Sequence, residues 1–148
     1  MTEPSWATYS GTGVVDMTTD LRIRFAVDDE VLSRLHAEAF GGDYTLIPWR
    51  ERLERHSRSW IGAFIDDRLA GFVHAIWDGG RHAFLLDTMV APDLHHHGIG
   101  TKLISTLVDD LRSLDIEWLH VDYEPHLNNF YRKACGFNAT DAAILRLN

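Results

Sequence analysis

The stretch LLDTMVAPDLHHHGIGTKL, residues 85–103, decides how the chain is read. It opens as an apolar run over residues 85–90, interrupted by one acidic residue, Asp87. Ala91-Pro92 closes that run, because proline has no amide to donate to a sheet, and the strand therefore ends near Val90. Three consecutive histidines and Gly98-Ile99-Gly100 follow. Beyond them Leu103, Ile104, Leu107, Val108 and Leu111 recur at the spacing of a helix with one buried stripe. The unit is a strand, a glycine-containing loop and a helix. Such a loop leaves backbone N–H groups unpaired at the positive end of a helix, and its small residues let an anion come close, which makes it a phosphate seat.

Upstream of this unit, apolar runs at residues 60–65, 69–77 and 82–90 are separated by short gaps that hold the turns Asp66-Asp67 and Asp78-Gly79-Gly80. Turns this short call for antiparallel hairpins, so the three runs predict a meander. Further back, Leu21, Ile23, Phe25 and Val27 alternate with polar or small residues as in a half-buried strand. Asp28 then suits a helix N-cap, Val31, Leu32, Leu35, Ala39 and Phe40 form the apolar side, and Gly41-Gly42 stops the helix. Pro48 can begin a second short helix carrying Trp49 and Leu53. Downstream, residues 116–121 predict a fifth strand, 125–134 a short helix capped by Gly136, and 137–147 one or two closing strands. Residues 1–19, rich in Ser, Thr and Gly, read as a loose leader before a domain over residues 20–148.

The composition narrows the function. With 148 residues, the chain suits one domain with a proper core. A hydrophobic share of 45% and a charged share of 24% are those of an ordinary globular protein. No basic segment followed by an apolar stretch opens the chain, and no run of apolar residues is long enough to span a bilayer, so the expectation is cytoplasmic, with no membrane partner. A formal charge of −8 disfavours nucleic acid and mildly favours cationic substrates. The single cysteine, Cys135, makes no internal disulfide; at a helix C-terminal end it reads as a small buried hydrophobe, not a nucleophile. Three adjacent histidines cannot easily converge on one ion, so no metal is expected.

The order of elements joins two segments. His95-His96-His97-Gly98-Ile99-Gly100 stands where a Gln/Arg-x-x-Gly-x-Gly/Ala motif would sit, and Asn129-Phe130-Tyr131-Arg132-Lys133-Ala134-Cys135-Gly136-Phe137 follows the next strand. Together they resemble the GNAT superfamily of N-acetyltransferases, over residues 21–147. The resemblance implies a single-domain α/β fold of the α+β type: a central, mostly antiparallel mixed sheet of six to seven strands flanked by about four helices. It also implies an acyl-CoA cosubstrate, most simply acetyl-CoA. Its pyrophosphate would lie on the loop formed by His95, His96, His97, Gly98, Ile99, Gly100 and Thr101, and its pantetheine arm on the backbone of Met89 and Val90. A backbone amide at that strand end can also stabilise an oxyanion.

Acyl transfer from a thioester to an alkylamine raises two proton problems. The nucleophile is mostly protonated at neutral pH, so a group must accept its proton directly or through water, and Asp87, a lone carboxylate in an apolar strand, is the candidate. The alternative is a carboxylate that faces solvent or caps a loop. The leaving thiolate needs a proton, and Tyr131 occupies the position where the superfamily usually places its tyrosine acid. Two departures stand out. His95 replaces Gln or Arg at the first motif position, so CoA binding is expected to weaken from about pH 6 to 8 as the imidazoles lose charge. Glu124 stands where Asn is frequent, to bind a cationic substrate or to cap the following helix. Tyr44, Trp49 and Trp60 line the expected acceptor wall or belong to the core. His74, His82 and His120 read as sheet residues, not bases.

The function expected is thus transfer of an acetyl group from acetyl-CoA to a primary amine of a small molecule by direct attack in a ternary complex. A protein lysine or N-terminal acetyltransferase is the related alternative, and a non-catalytic acyl-CoA-binding module the unrelated one. Exposed strands of the meander or the C-terminus offer edges through which a homodimer could pair.

Overall fold

The short first strand, β1 (Asp20–Ile23), lies at the edge of a sheet whose other strands are β2 (Ser57–Ile65), β3 (Arg68–Trp77), β4 (His82–Val90) and β5 (Trp118–His120) in this computed structural model, which describes residues 18–148. The strands are ordered β1-β2-β3-β4-β5. The first three pairings are antiparallel and β4 pairs with β5 in parallel. Both hairpin turns sit where sequence puts them. Asp66 and Asp67 take left-handed backbone at φ 49° and 61°, and the Asp78 carboxylate accepts from the Gly80 and His82 amides at 2.8 and 3.3 Å.

Helix α1 (Asp29–Phe40) begins as its cap predicts, with the Asp28 carboxylate accepting from Val31 N–H at 3.1 Å, and ends at Gly41 in left-handed conformation. Helix α2 (Trp49–His56) follows Pro48. These two helices cover one face of the sheet, burying Leu32, Leu35, Trp49 and Leu53 against Phe72 and Met89. Helix α3 (Ile99–Ser113) covers the other face, laying Ile99, Leu103, Ile104, Leu107 and Leu111 on Ile61, Val73, Leu85 and Val90. Gly71 on β3 sets how closely α3 approaches. A Cβ there would stand 3.0 Å from both Ile99 Cγ2 and Leu103 Cδ1 and 3.1 Å from the Met89 carbonyl oxygen.

Under α3 lies one buried carboxylate. Asp110 accepts from Ser59 Oγ at 2.6 Å and from the half-exposed Arg24 guanidinium at 3.3 Å. Removing the hydroxyl leaves one carboxylate oxygen buried without that donor, so Ser59→Ala is expected to cost about 1–3 kcal/mol of stability in a denaturant titration.

The first strand spans only Asp20–Ile23, and the segment 125–134 is not one α-helix but a 3-10 turn, Pro125–Leu127, followed by a π-helical turn, Asn129–Ala134. The sheet has five strands, not six to seven. Residues 138–148 form no strand, and Ile144, Leu145 and Leu147 are each 82% exposed. Apolar residues make a strand only where an edge receives them, and β5 offers just Trp118–His120. The leader expected over residues 1–19 lies almost wholly outside the described residues.

Candidate active site

Strand β4 carries a bulge that decides where its carboxylate goes. Phe72 faces Met89 and His74 faces Leu86, so Asp87 and Thr88 together oppose Val73. Asp87 takes φ 53°, a left-handed conformation uncommon outside glycine. Before the bulge, Ala83 and Leu85 point toward α3; after it, Val90 points there and Met89 toward the opposite cluster. In a regular strand Asp87, two residues after Leu85, would be driven under α3. The bulge turns it to the other side, where Oδ2 lies 2.7 Å from His74 Nε2, and the side chain stays 24% exposed. Asp87 is therefore neither a loop cap nor a fully solvated carboxylate. His74, itself buried, meets Ser57 Oγ through Nδ1 at 2.7 Å.

The end of β4 has an open edge. Pairing with β5 stops at Phe84 and His120, while β4 continues to Val90. Ala91 N–H donates to the Ala70 carbonyl at 2.8 Å. Strand alternation therefore directs the Met89 carbonyl toward β3 and turns the N–H and C=O of Val90 away from it, to the side where His95 reaches the Val90 backbone. Both residues are buried as side chains, and of the two backbone positions expected to meet pantetheine it is Val90 whose N–H points away from β3.

The loop that follows is held at both ends. Arg68 grips Asp93 in the 3-10 turn Pro92–Leu94 through two bonds of 2.8 and 2.9 Å, and this pairing holds the Asp93 carboxyl down at about 2. Burial, ahead of the opposing hydrogen bond to the Val90 backbone, pushes the His95 imidazole below its ordinary range. His95 is thus turned onto the strand end, where burial disfavours its charged form and makes it a poor source of positive charge for a phosphate. His95 is therefore not the source of the fall in CoA affinity expected from about pH 6 to 8. His95→Gln, which keeps a donor, is expected to bind acetyl-CoA within about threefold of wild type at each pH, as read by calorimetry.

His96 and Gly98 both adopt left-handed backbone, at φ 66° and 76°, and fold the loop back onto α3. Gly98 caps α3 with no side-chain bond, and Lys102 N–H is the amide that returns to its carbonyl, at 3.2 Å. The amides of Ile99, Gly100 and Thr101 precede the first intrahelical donor and face out of the helix end. A Cβ built on Gly98 meets nothing within 4 Å, and His97 Nδ1 is buried with no hydrogen-bond partner among the described residues. Open space, free helix-end amides and an orphaned imidazole nitrogen fit a pyrophosphate group.

Tyr131 sits in the π-helical turn, where Cys135 N–H reaches the Phe130 carbonyl and Phe137 N–H the Tyr131 carbonyl, at 3.0 and 2.9 Å. Its ring stacks on Tyr123 at 4.9 Å, and the Tyr123 hydroxyl accepts from Arg132 Nε at 2.9 Å. Tyr131 belongs to the same buried cluster as Val90 and Ile99, which ties it to the strand end and the start of α3. Asp87 and Tyr131 thus approach β4 from its two faces. π-helical turns concentrate at functional positions.

The acetyltransferase (GNAT) family model matches residues 26–137. The chain belongs to this family. The fold agrees: aminoglycoside N-acetyltransferase AAC(6')-Iy in complex with CoA superposes with TM-score 0.70 at 20% identity, over 95% of this chain and 99% of that one. Ribosomal-protein-alanine N-acetyltransferase from Brucella melitensis biovar Abortus 2308 gives 0.70 at 18% identity, over 87% and 99%. In sequence, an uncharacterized N-acetyltransferase, ycf52, from Porphyra purpurea is 35% identical over 66 residues, which are 45% of this chain and 38% of the relative. The match spans well under half the length of the curated relatives, the Pyropia yezoensis protein included at 39%.

Within this GNAT fold the other sequence candidates are taken up by packing or by local partners. Trp49 is core, the Trp60 indole donates to the Phe25 carbonyl at 2.9 Å, and Tyr44 lies under the Arg34 guanidinium, so the three aromatics form no shared box. Glu124 makes no cap bond to the turn after it and stands 3.6 Å from His126 Nδ1. Burial pushes the Cys135 thiol up to about 12, which leaves it protonated and unreactive. His82 and His120 pair with each other at 2.9 Å on the exposed sheet face. His74 is the satisfied sheet residue that sequence reads it as, and its link to Asp87, which depends on the bulge, is what sequence does not disclose.

Proposed function

We propose that this GNAT chain is an acyl-CoA-dependent N-acyltransferase that moves an acetyl group from acetyl-CoA to a primary amine of a small molecule by direct attack in a ternary complex. The observation that carries the reading is the open edge of β4: outward backbone at Val90, the anion-fitting loop and α3 start beyond it, and an accessible carboxylate at its bulge. Residues 98–101 hold the pyrophosphate through backbone amides, with His96 and His97 beside them. In this reading the Val90 N–H bonds the thioester carbonyl and stabilises negative charge on that oxygen. Asp87 accepts one proton of the attacking ammonium, the nitrogen forms the amide bond as the carbon–sulfur bond breaks, Tyr131 gives the departing sulfur its proton, and the second proton shed by the nitrogen returns to the Tyr131 phenolate while Asp87 releases its own to solvent. The products are an N-acetylated amine and CoA thiol, with Asp87 and Tyr131 restored by one net proton released to solvent.

A thiol-release assay with acetyl-CoA tests this against aminoglycosides, amino sugars, polyamines and peptides with free N-terminal alanine. Release driven by one of the small amines, well above hydrolysis, is expected; the chain's negative charge favours such cations over neutral acceptors. Release with peptides alone would transfer the reading to a protein acetyltransferase, and none with any amine would reduce the chain to a binding module.

A further inference from the structure

Ser57, His74 and Asp87 form one hydrogen-bonded line across β2, β3 and β4, with 2.7 Å at each step. An ionised carboxylate only accepts, so the His74 proton sits on Nε2; in a neutral ring Nδ1 is then the acceptor, and the Ser57 hydroxyl donates to it. The ring cannot turn away. It is 2% exposed, with Trp49 and Phe72 packed around it at ring distances of 6.1 and 5.8 Å. The carboxylate at the far end uses only Oδ2 in this line, and Oδ1 has no hydrogen bond among the described residues. Nothing in the packing of the sheet asks for such a chain, since an apolar residue at position 74 would sit among Trp49 and Phe72 without needing polar partners. What the chain does accomplish is to hold a bulged, left-handed residue with one oxygen tied and the other open.

From this geometry we propose that His74 is a positioning residue for Asp87, with Ser57 fixing its tautomer. The role rests on the reading of Asp87 as the base. A carboxylate on a bulge has freedom about its side-chain torsions, and a donor anchored in the core removes it, so that the open oxygen meets the amine in one geometry. His74 touches no substrate and carries no proton of the reaction.

The test uses the full chain with acetyl-CoA and the fastest amine of the panel above. His74→Leu is expected to lower kcat by roughly 10–100-fold with KM for acetyl-CoA within about threefold of wild type. His74→Gln, whose amide nitrogen can stand near the Nε2 position, is expected to recover about tenfold of that loss; equal losses in the two variants would assign His74 to packing alone. In the Asp87→Asn background, adding His74→Leu is expected to cost less than about twofold, because no base remains to be placed. An undiminished second loss there would overturn the proposal. Wild-type kcat in His74→Leu beside a strong loss in Asp87→Asn would end the positioning role and leave the base standing, whereas full turnover in Asp87→Asn would end both. Independently of any acceptor, the ¹⁵N-labelled protein is expected to show an exchange-protected imidazole N–H that disappears in His74→Gln. Its absence from the wild-type spectrum would contradict the line as drawn.

Discussion

Replacing Asp87 by asparagine is expected to lower kcat for amine acetylation by roughly 10²–10⁴-fold, the range that a positioned acid or base supplies. The amide is close in shape to the carboxylate, and its oxygen still accepts from His74 Nε2, so the bulge and the buried line survive. Asparagine also tolerates the left-handed backbone that Asp87 adopts at φ 53°. What is lost is the ability to take a proton. KM for acetyl-CoA should stay within about threefold, because Val90 and the loop, not the Asp87 side chain, hold the cosubstrate in this account. Steady-state kinetics on the two proteins checks the split. A variant with unchanged kcat would remove Asp87 from the chemistry, and one with a large rise in KM for acetyl-CoA and unchanged kcat would make it a binding group.

Tyr131→Phe is expected to lower kcat by roughly 10–100-fold while acetyl-CoA binds as before. The phenyl ring keeps the stack on Tyr123 and the edge contacts with Phe130 and Phe137, and the backbone bond from Phe137 to the carbonyl at position 131 is untouched. A phenol can protonate a leaving thiolate and a phenyl ring cannot, so the loss should appear in the chemical step. Acceleration of the variant with an acyl donor whose thiol is more acidic than CoA would follow, since a better leaving group needs less help. Equal turnover in the two proteins would return Tyr131 to the core.

The parts of the fold that sequence discloses are those fixed by short-range chemistry. Asp28 and Gly41 bound α1 as their side chain and lack of one require, the paired aspartates and Asp78-Gly79-Gly80 turn the meander, and the apolar stripe of α3 faces the sheet. The strand, loop and helix of residues 85–103 follow from Pro92 and Gly98 in the same way. The failures are of another kind. Neither glycine nor proline announces the bulge at Asp87; it exists because Met89 and Val90 must exchange faces to fill two different cores. Since the bulge decides that Asp87 reaches His74, a line of three residues from three strands stayed hidden behind a histidine that reads as an ordinary sheet residue.

His95 shows the same dependence on its surroundings. Its place in the motif suggests charge for a phosphate, yet the ring lies against the Val90 backbone, a contact set by the turn Pro92–Leu94 and its Arg68 clamp. The closing strands expected over residues 137–147 fail because apolar spacing describes what a strand would bury, not whether an edge is there to pair with it.

The central claim is that the open end of β4 and the loop leading into α3 seat acyl-CoA. Amide spectra of the ¹⁵N-labelled chain titrated with acetyl-CoA test it most directly. Saturable shifts at Val90, Gly98, Ile99, Gly100 and Thr101 are the predicted result. Saturable binding that leaves these amides unmoved, or no binding, would contradict it.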